Sequence, residues 1–174
     1  MASTDLSKRE LLSLIGSEAQ DHIALLQRLI RAPTPNPPGN TKEAIELVQQ
    51  YLTAAGIDSK LIGPKPESPN LVAVLHGKAS VSQETSASER SIVLNGHIDQ
   101  FPVSDASQWQ RDPYSGDVED GYVYGRSGVD MKAGTAASIV AFIYLHRFRA
   151  CWQGRCILEA VSYTHLTLPT KRIV

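Results

Sequence analysis

Cysteine is nearly absent: the 174 residues hold two, Cys151 and Cys156. Two thiols cannot build the disulfide framework of a small secreted domain. Their four-residue gap is not a standard zinc spacing either, so both read as ordinary reduced thiols. An excess of one charge is missing as well. Seventeen Lys and Arg stand against 18 Asp and Glu, a formal net charge of −1. That offers no electrostatic footprint for nucleic acid or an anionic membrane as partner. No apolar run approaches the ~20 residues of a membrane-spanning helix. Residues Met1 to Glu10 are polar and charged, with no signal-peptide core, so a cytoplasmic protein is expected.

What is present suits one soluble domain with a real core, at 42% hydrophobic and 20% charged residues. The periodicity predicts a short helix from Ser7 to Ile15, stopped by Gly16. Ser17 is then placed to cap a second helix, with Gln20 at the capping-box position. That helix carries Ile23, Leu25, Leu26, Leu29 and Ile30 and ends before Pro33. Residues Ala32 to Gly39 hold four prolines and read as a rigid loop between helices. Thr41 caps a third helix that Gly56 closes. Ile57 to Ile62 and Asn70 to His76 read as strands, and Lys78 to Arg90 as a polar surface loop. Ser91 to Leu94 reads as a buried, central strand ended by Gly96. Gly121 to Tyr124 is a short strand, Lys132 to Phe148 a helix apolar over most of its circumference, and Cys156 to Ala160 a further strand. This order of helices and strands predicts an α/β layered domain.

Chemistry concentrates at two places. His97 and Asp99 follow the strand at spacing two, so they leave an extended segment on the same side. Asp130 sits on a glycine-flanked loop before a helix. Two carboxylates and a histidine at strand ends suit a divalent metal. Alone, His97 reads as a strand-end histidine, Asp99 as a turn residue and Asp130 as a helix cap. Gly125-Arg126-Ser127-Gly128 lacks the phosphate-loop pattern, which excludes nucleotide binding. His22, His76 and His146 each stand alone and read as ordinary structural histidines. Trp109 reads as a packing anchor. Arg126 and Lys132 read as solvated or ion-paired surface cations rather than a substrate-carboxylate site.

Taken together, Gly96-His97-Ile98-Asp99, Trp109 with Asp112-Pro113-Tyr114, Gly121, Tyr124-Gly125-Arg126 and Asp130-Met131-Lys132-Ala133-Gly134 resemble an ordered family pattern. The family is that of acetylornithine deacetylase, succinyl-diaminopimelate desuccinylase, aminoacylase and carboxypeptidase G, which are dinuclear zinc peptidases. The resemblance runs from about Asp21 to about Ala160, and Ala32 to Gly39 resembles the family's Pro-Pro-Gly turn. The full form of that turn is Ser/Thr-x-Asn-Pro-Pro-Gly, which Thr34 to Gly39 match with Asn36 at the Asn position. The resemblance implies a layered zinc-peptidase catalytic domain with a mixed or parallel sheet flanked by helices. It implies His97 as a metal ligand and Asp130 as a carboxylate bridging two Zn²⁺, with Co²⁺ or Mn²⁺ open. Asp99 is then the catalytic-site residue that accepts a hydrogen bond and orients a catalytic group. The implied reaction is hydrolysis of the amide of an N-acyl amino acid or small peptide, with a glutamate as general base. The wording is nearest the deacetylase and desuccinylase branch, and the parent protein is expected to be a homodimer.

The tail departs from this pattern. Tyr163-Thr164-His165 stands where the family has Asp-Glu-Glu, which supplies the base and a ligand. The run from Val161 to Thr170 matches an in-frame translation of a sequencing adapter. The expectation is therefore that residues 1–160 are the N-terminal part of a metallopeptidase catalytic domain and 161–174 a non-native tail. The dimerisation domain is absent, and the fragment holds zinc weakly and is inactive. The competing expectation is a non-catalytic α/β module on a degenerate peptidase fold.

Overall fold

The computed structural model describes residues 8–78 and 90–162. Most of the expected surface loop (79–89) and the tail from residue 163, with His165, lie outside the described residues. Three helices come first: α1 (Lys8–Ser17), α2 (Ala19–Arg31) and α3 (Lys42–Ala54). Strands β1 (Lys60–Ile62), β2 (Asn70–His76) and β3 (Ser91–His97) follow, then a small hairpin of β4 (Val118–Glu119) and β5 (Tyr122–Val123). Helix α4 (Ala133–Arg147) and strand β6 (Arg155–Val161) complete the set.

The main sheet has the order β1-β2-β6-β3. Pairing is antiparallel from β1 to β2 and from β2 to β6, and parallel between β6 and β3. Alternation follows the pleat. Leu71, Ala73, Cys156, Leu158 and Ala160 turn into a core shared with Leu29 of α2, Ile45, Val48 and Leu52 of α3, and Ile139 and Phe142 of α4. The residues between them turn the other way, where Val74 and Val93 are 44% and 49% exposed. The expected α/β architecture, a mixed sheet flanked by helices, is the one observed.

Several local expectations change. Ser91 to Leu94 is neither central nor buried: β3 is an edge strand of the described sheet, and Ser91 to Val93 are exposed. A β-branched run announces a strand without announcing its place. Gly96 does not end that strand, which runs to His97. Gly16 does not stop α1, and Ser17 does not cap α2; its hydroxyl donates to the Leu14 carbonyl at 2.8 Å instead. Thr41 holds the N-cap position of α3, but the Lys42 N–H takes the Asn40 side chain at 3.2 Å. The strand expected from Ile57 shortens to Lys60–Ile62. The 20-residue stretch Gly128–Arg147 is long and apolar enough to cross a membrane by length and composition. Its backbone leaves the helical region at Asp130 and Met131, and α4 buries Ile139 and Phe142 against the sheet. It serves as a core helix here.

Candidate metal centre

Strand β3 delivers His97 to the rim of the sheet, and the start of α4 packs against it there. The approach is close enough to require glycine: a Cβ on Gly96 would come within 2.5 Å of the Thr135 hydroxyl oxygen. That hydroxyl donates to the His97 carbonyl at 2.9 Å and so fixes the backbone beneath the ring. The imidazole is buried and held at both nitrogens. Nδ1 lies 3.0 Å from the Asp99 carbonyl oxygen and 3.4 Å from Asp99 Oδ1. Nε2 points outward and meets Asp130 Oδ1 at 3.1 Å.

Asp130 reaches this point from the turn Gly128–Lys132 that precedes α4. Its backbone (φ −118°, ψ 96°) is extended, and it does not cap α4, whose N-cap position belongs to Lys132. Ser127, in the left-handed region at φ +67°, donates its hydroxyl to the Asp130 carbonyl at 2.7 Å. The Asp130 side chain stays 80% exposed. The three residues singled out from the sequence, His97, Asp99 and Asp130, therefore converge.

The proline-rich loop is more than a connector. The Thr34 hydroxyl donates to the Ile98 carbonyl at 2.7 Å, and the Gln100 N–H to the Thr34 carbonyl at 3.0 Å. The Asn36 N–H donates to the Gln100 carbonyl at 2.8 Å, and the Asn36 amide to Asp99 Oδ2, also at 2.8 Å. Segment 34–36 thus lies alongside 98–100 as a clamp, with Pro35 paired to Gln100. The sequence signals a rigid loop but not its partners, which lie more than 60 residues away.

Lys132 overturns its expected surface role. The side chain is 0% exposed, and Nζ donates to the carbonyls of Leu29 and Ala32 at 2.8 Å each. It closes the C-terminal end of α2. Burial pushes its pKa down to about 7, while the carbonyls at the negative end of α2 favour the ammonium form. Arg126 donates Nε to the Phe101 carbonyl at 2.9 Å. Trp109, expected as a packing anchor, is 36% exposed and helps line a cavity of about 300 Å³ beside Asp130, with Gln100, Phe101 and Arg126. Both polar atoms of the buried Gln100 amide lack a partner among the described residues, a feature that no sequence signal marks.

The remaining titratable groups serve elsewhere. Tyr144 links α4 to α2 by donating to Glu18 at 2.8 Å, with His22 Nε2 at 3.3 Å, and Arg147 grips both Glu18 oxygens. Neither cysteine is in a disulfide, and burial raises the pKa of the Cys156 thiol.

The donor set fits a divalent metal ion. Two donors about 2.0–2.2 Å from one tetrahedral ion lie roughly 3.3–3.6 Å apart. The 3.1 Å between His97 Nε2 and Asp130 Oδ1 falls just short of this, so a small opening of the pair would admit the ion. Two oxygens face Nδ1 and one faces Nε2, which favours the ring proton on Nδ1, the tautomer that leaves the Nε2 lone pair for a metal. Among the described residues, no group of three or more His, Cys, Asp or Glu is arranged to hold a metal. The parallel register pairs His97 with Val161, and the Ile98 N–H donates to the Val161 carbonyl at 2.8 Å. Strand β6 therefore leaves the sheet beside the site.

Comparison with known proteins agrees with this geometry. The profile of peptidase family M20/M25/M40 matches residues 93–157, a span that includes His97, Asp99 and Asp130. N-formyl-4-amino-5-aminomethyl-2-methylpyrimidine deformylase of Halalkalibacterium halodurans is 36% identical over 153 residues. This chain belongs to the M20 peptidase family. The match to the deformylase covers 87% of the chain and 34% of that relative. A succinyl-diaminopimelate desuccinylase of Cereibacter sphaeroides is 35% identical over 123 residues, covering 71% of the chain and 30% of the relative. The chain thus spans about a third of the length of these relatives. Two solved structures share the M20 fold. Human carnosine dipeptidase 1 superposes with a TM-score of 0.72 at 16% identity, over 92% of this chain and 36% of that one. An M20 metallo-carboxypeptidase of Sulfolobus solfataricus gives 0.66 at 19%, over 82% and 30%.

Proposed function

We propose that this chain carries the metal-binding heart of a hydrolase that cleaves the amide bond of a small N-acyl amine, either an N-acyl amino acid or a short peptide. The observation that carries this reading is the pairing of His97 Nε2 with Asp130 Oδ1, backed by Asp99 at His97 Nδ1. Relatives named as a deformylase and a desuccinylase support it, since each name describes removal of an acyl group.

His97 supplies a neutral nitrogen donor, and Asp130 supplies one oxygen to the same point. The Asp130 side chain is open enough for its second oxygen to face a neighbouring ion, so two Zn²⁺, or Co²⁺ in their place, suit the complete site. Bound divalent ions there would polarise the scissile carbonyl and bring the pKa of water toward neutrality. Asp99 holds the imidazole in the tautomer this needs. The cavity lined by Phe101, Trp109 and Arg126 lies next to Asp130 and is the place for the substrate's side chain. We assign the general base and further ligands to positions beyond the described residues. On its own two donors the 174-residue chain holds zinc weakly and does not turn over. A cytoplasmic location and a homodimeric parent belong to the same reading.

The test is a Zn²⁺ titration of the chain, read by long-range ¹H–¹⁵N correlation of the histidine rings. Binding is expected to move His97 Nε2 selectively, and Asp130→Ala is expected to abolish the shift. If zinc leaves His97 untouched, the metal-centre reading falls. Rapid release of free amine from N-formyl or N-succinyl amino acids by this chain alone would overturn the expected lack of turnover.

A further inference from the structure

We infer that Asn36, in the proline-rich loop, is a positioning residue for the metal site: its amide sets the Asp99 carboxylate and through it the tautomer and aim of His97. This rests on the metal-centre reading above. A carboxylate on a short side chain rotates about two torsions, and in Asp99 both oxygens meet polar atoms. Asn36 Nδ2 donates to Oδ2 at 2.8 Å, and Oδ1 faces His97 Nδ1 at 3.4 Å, adding its charge to the Asp99 carbonyl oxygen that meets the same nitrogen at 3.0 Å. The amide contact fixes the carboxylate plane, and the other oxygen is thereby presented to the ring. The result is a continuous run of contacts, Asn36 to Asp99 to His97 to Asp130, of which the sequence singles out the last three as site residues and reads Asn36 only as part of a rigid turn.

The loop is built to hold Asn36 in place. Its own N–H is tied to the Gln100 carbonyl at 2.8 Å, so backbone and side chain of one residue grip segment 99–100 together. The Gly39 N–H closes back on the Pro35 carbonyl at 2.9 Å. Gly39, at φ +87°, is a turn position that favours glycine, and a Cβ there would come 3.1 Å from Asn36 Oδ1. The turn thus passes directly behind the amide. Asn36 Nδ2 donates to an acceptor-only carboxylate, a hydrogen bond to a charged group and so stronger than a neutral one. Asp99 is the direct partner of the metal ligand, and loosening a partner of this kind typically changes metal affinity by about 10–100-fold; Asn36 acts through it.

The experiment separates the Asn36 role from the metal reading. First, the His97 tautomer is measured without metal by long-range ¹H–¹⁵N correlation in the Asp130→Ala chain, where the competing acceptor at Nε2 is gone. With Asn36 intact the proton is expected mostly on Nδ1. With Asn36→Ala added, the Nδ1 proton's share is expected to fall measurably, since the Asp99 carbonyl still faces Nδ1 but the carboxylate is no longer held there. Asn36→Leu, close to asparagine in shape but without a donor, is expected to behave like Asn36→Ala and covers the case in which alanine loosens the loop. Thr34→Val removes a different bond of the same clamp and is expected to leave the tautomer unchanged. Second, in the Asp130 background, Zn²⁺ affinity is expected to fall about 10–100-fold in Asn36→Ala and Asn36→Leu. An unchanged tautomer in both Asn36 variants would overturn the inference. So would an equal tautomer shift in Thr34→Val, which would make the effect one of the loop as a whole. Failure of the native chain to bind zinc at His97 would instead sink the metal-centre reading and leave the tautomer result standing.

Discussion

The ammonium of Lys132 lies 2.8 Å from the carbonyl oxygen of Leu29, 103 residues earlier in the chain. A second bond to Ala32 makes this lysine the end-piece of α2, two residues after Asp130. Replacing it with methionine keeps most of the volume and removes both bonds. Leu29 then keeps only the 3.3 Å contact from the Ala32 N–H. Lys132→Met is expected to lose about 2 kcal/mol, the cost of stranded buried acceptors less the relief of a buried charge. A urea unfolding curve checks this: the midpoint should fall while the slope stays constant. An unchanged midpoint would mean that α2 does not depend on the lysine.

Asp130 should separate metal binding from stability. Its side chain is 80% exposed, so Asp130→Asn is expected to change the metal-free stability by no more than about 0.5 kcal/mol. Excess Zn²⁺ should raise the Tm of the native chain, because the ion binds only the folded state, and should leave the variant's Tm where it was. Thermal scans with and without zinc give the answer. An equal zinc-induced rise in both chains would remove Asp130 from the site.

Gly96 should be coupled to Thr135. A Cβ at position 96 would collide with the Thr135 side chain, so Gly96→Ala is expected to cost about 1–3 kcal/mol. Thr135→Ala has its own cost, since it removes the donor to the His97 carbonyl. The double variant is expected to be more stable than the sum of the two losses by about 1 kcal/mol, because the second change makes room for the first. Strict additivity in a double-mutant cycle would contradict the close approach.

Tyr144→Phe should flatten the pH dependence of stability at both ends. The Tyr144 hydroxyl and then Arg147 hold Glu18 below its usual 4.5. That stabilisation is complete above pH 4.5 and is lost as the pH falls through the depressed folded value. Burial and the Glu18 bond push Tyr144 itself up to about 12. Its stabilisation is complete below pH 10 and is lost as the pH rises through about 12. Unfolding midpoints measured from pH 3 to 12 should therefore fall less steeply at both extremes in the phenylalanine variant. Parallel curves would show that the hydroxyl is not coupled to Glu18.

The sequence made the site more legible than its supports. The convergence of His97, Asp99 and Asp130 was readable because the spacing-two pair leaves a strand end together and glycines mark the backbone around all three. Strand β2 was readable to the residue, since its apolar run is bounded by turn residues on one side and a glycine on the other. The edge position of β3 was not, because strand order depends on pairings that span the whole chain. Lys132 was misread for a related reason. A lysine beside a motif is normally solvated, and only the folded chain brings the end of α2 over it. Asn36 stood in a recognisable turn motif, but its contact was hidden in the same way: the neighbouring prolines announce rigidity, while its carboxylate partner is 63 residues off.

Strand β6 is the last described strand to leave the ribosome, yet it lies second in the sheet, between β2 and β3. During synthesis β2 and β3 have no strand to share until residues 155–161 emerge. Before that moment the nascent chain can offer only the β1–β2 and β4–β5 hairpins and its helices. His97 then has no neighbouring strand at Val161 to seat it. The seating of His97 is thus timed by translation: it is completed only after nearly all of the described chain has been made.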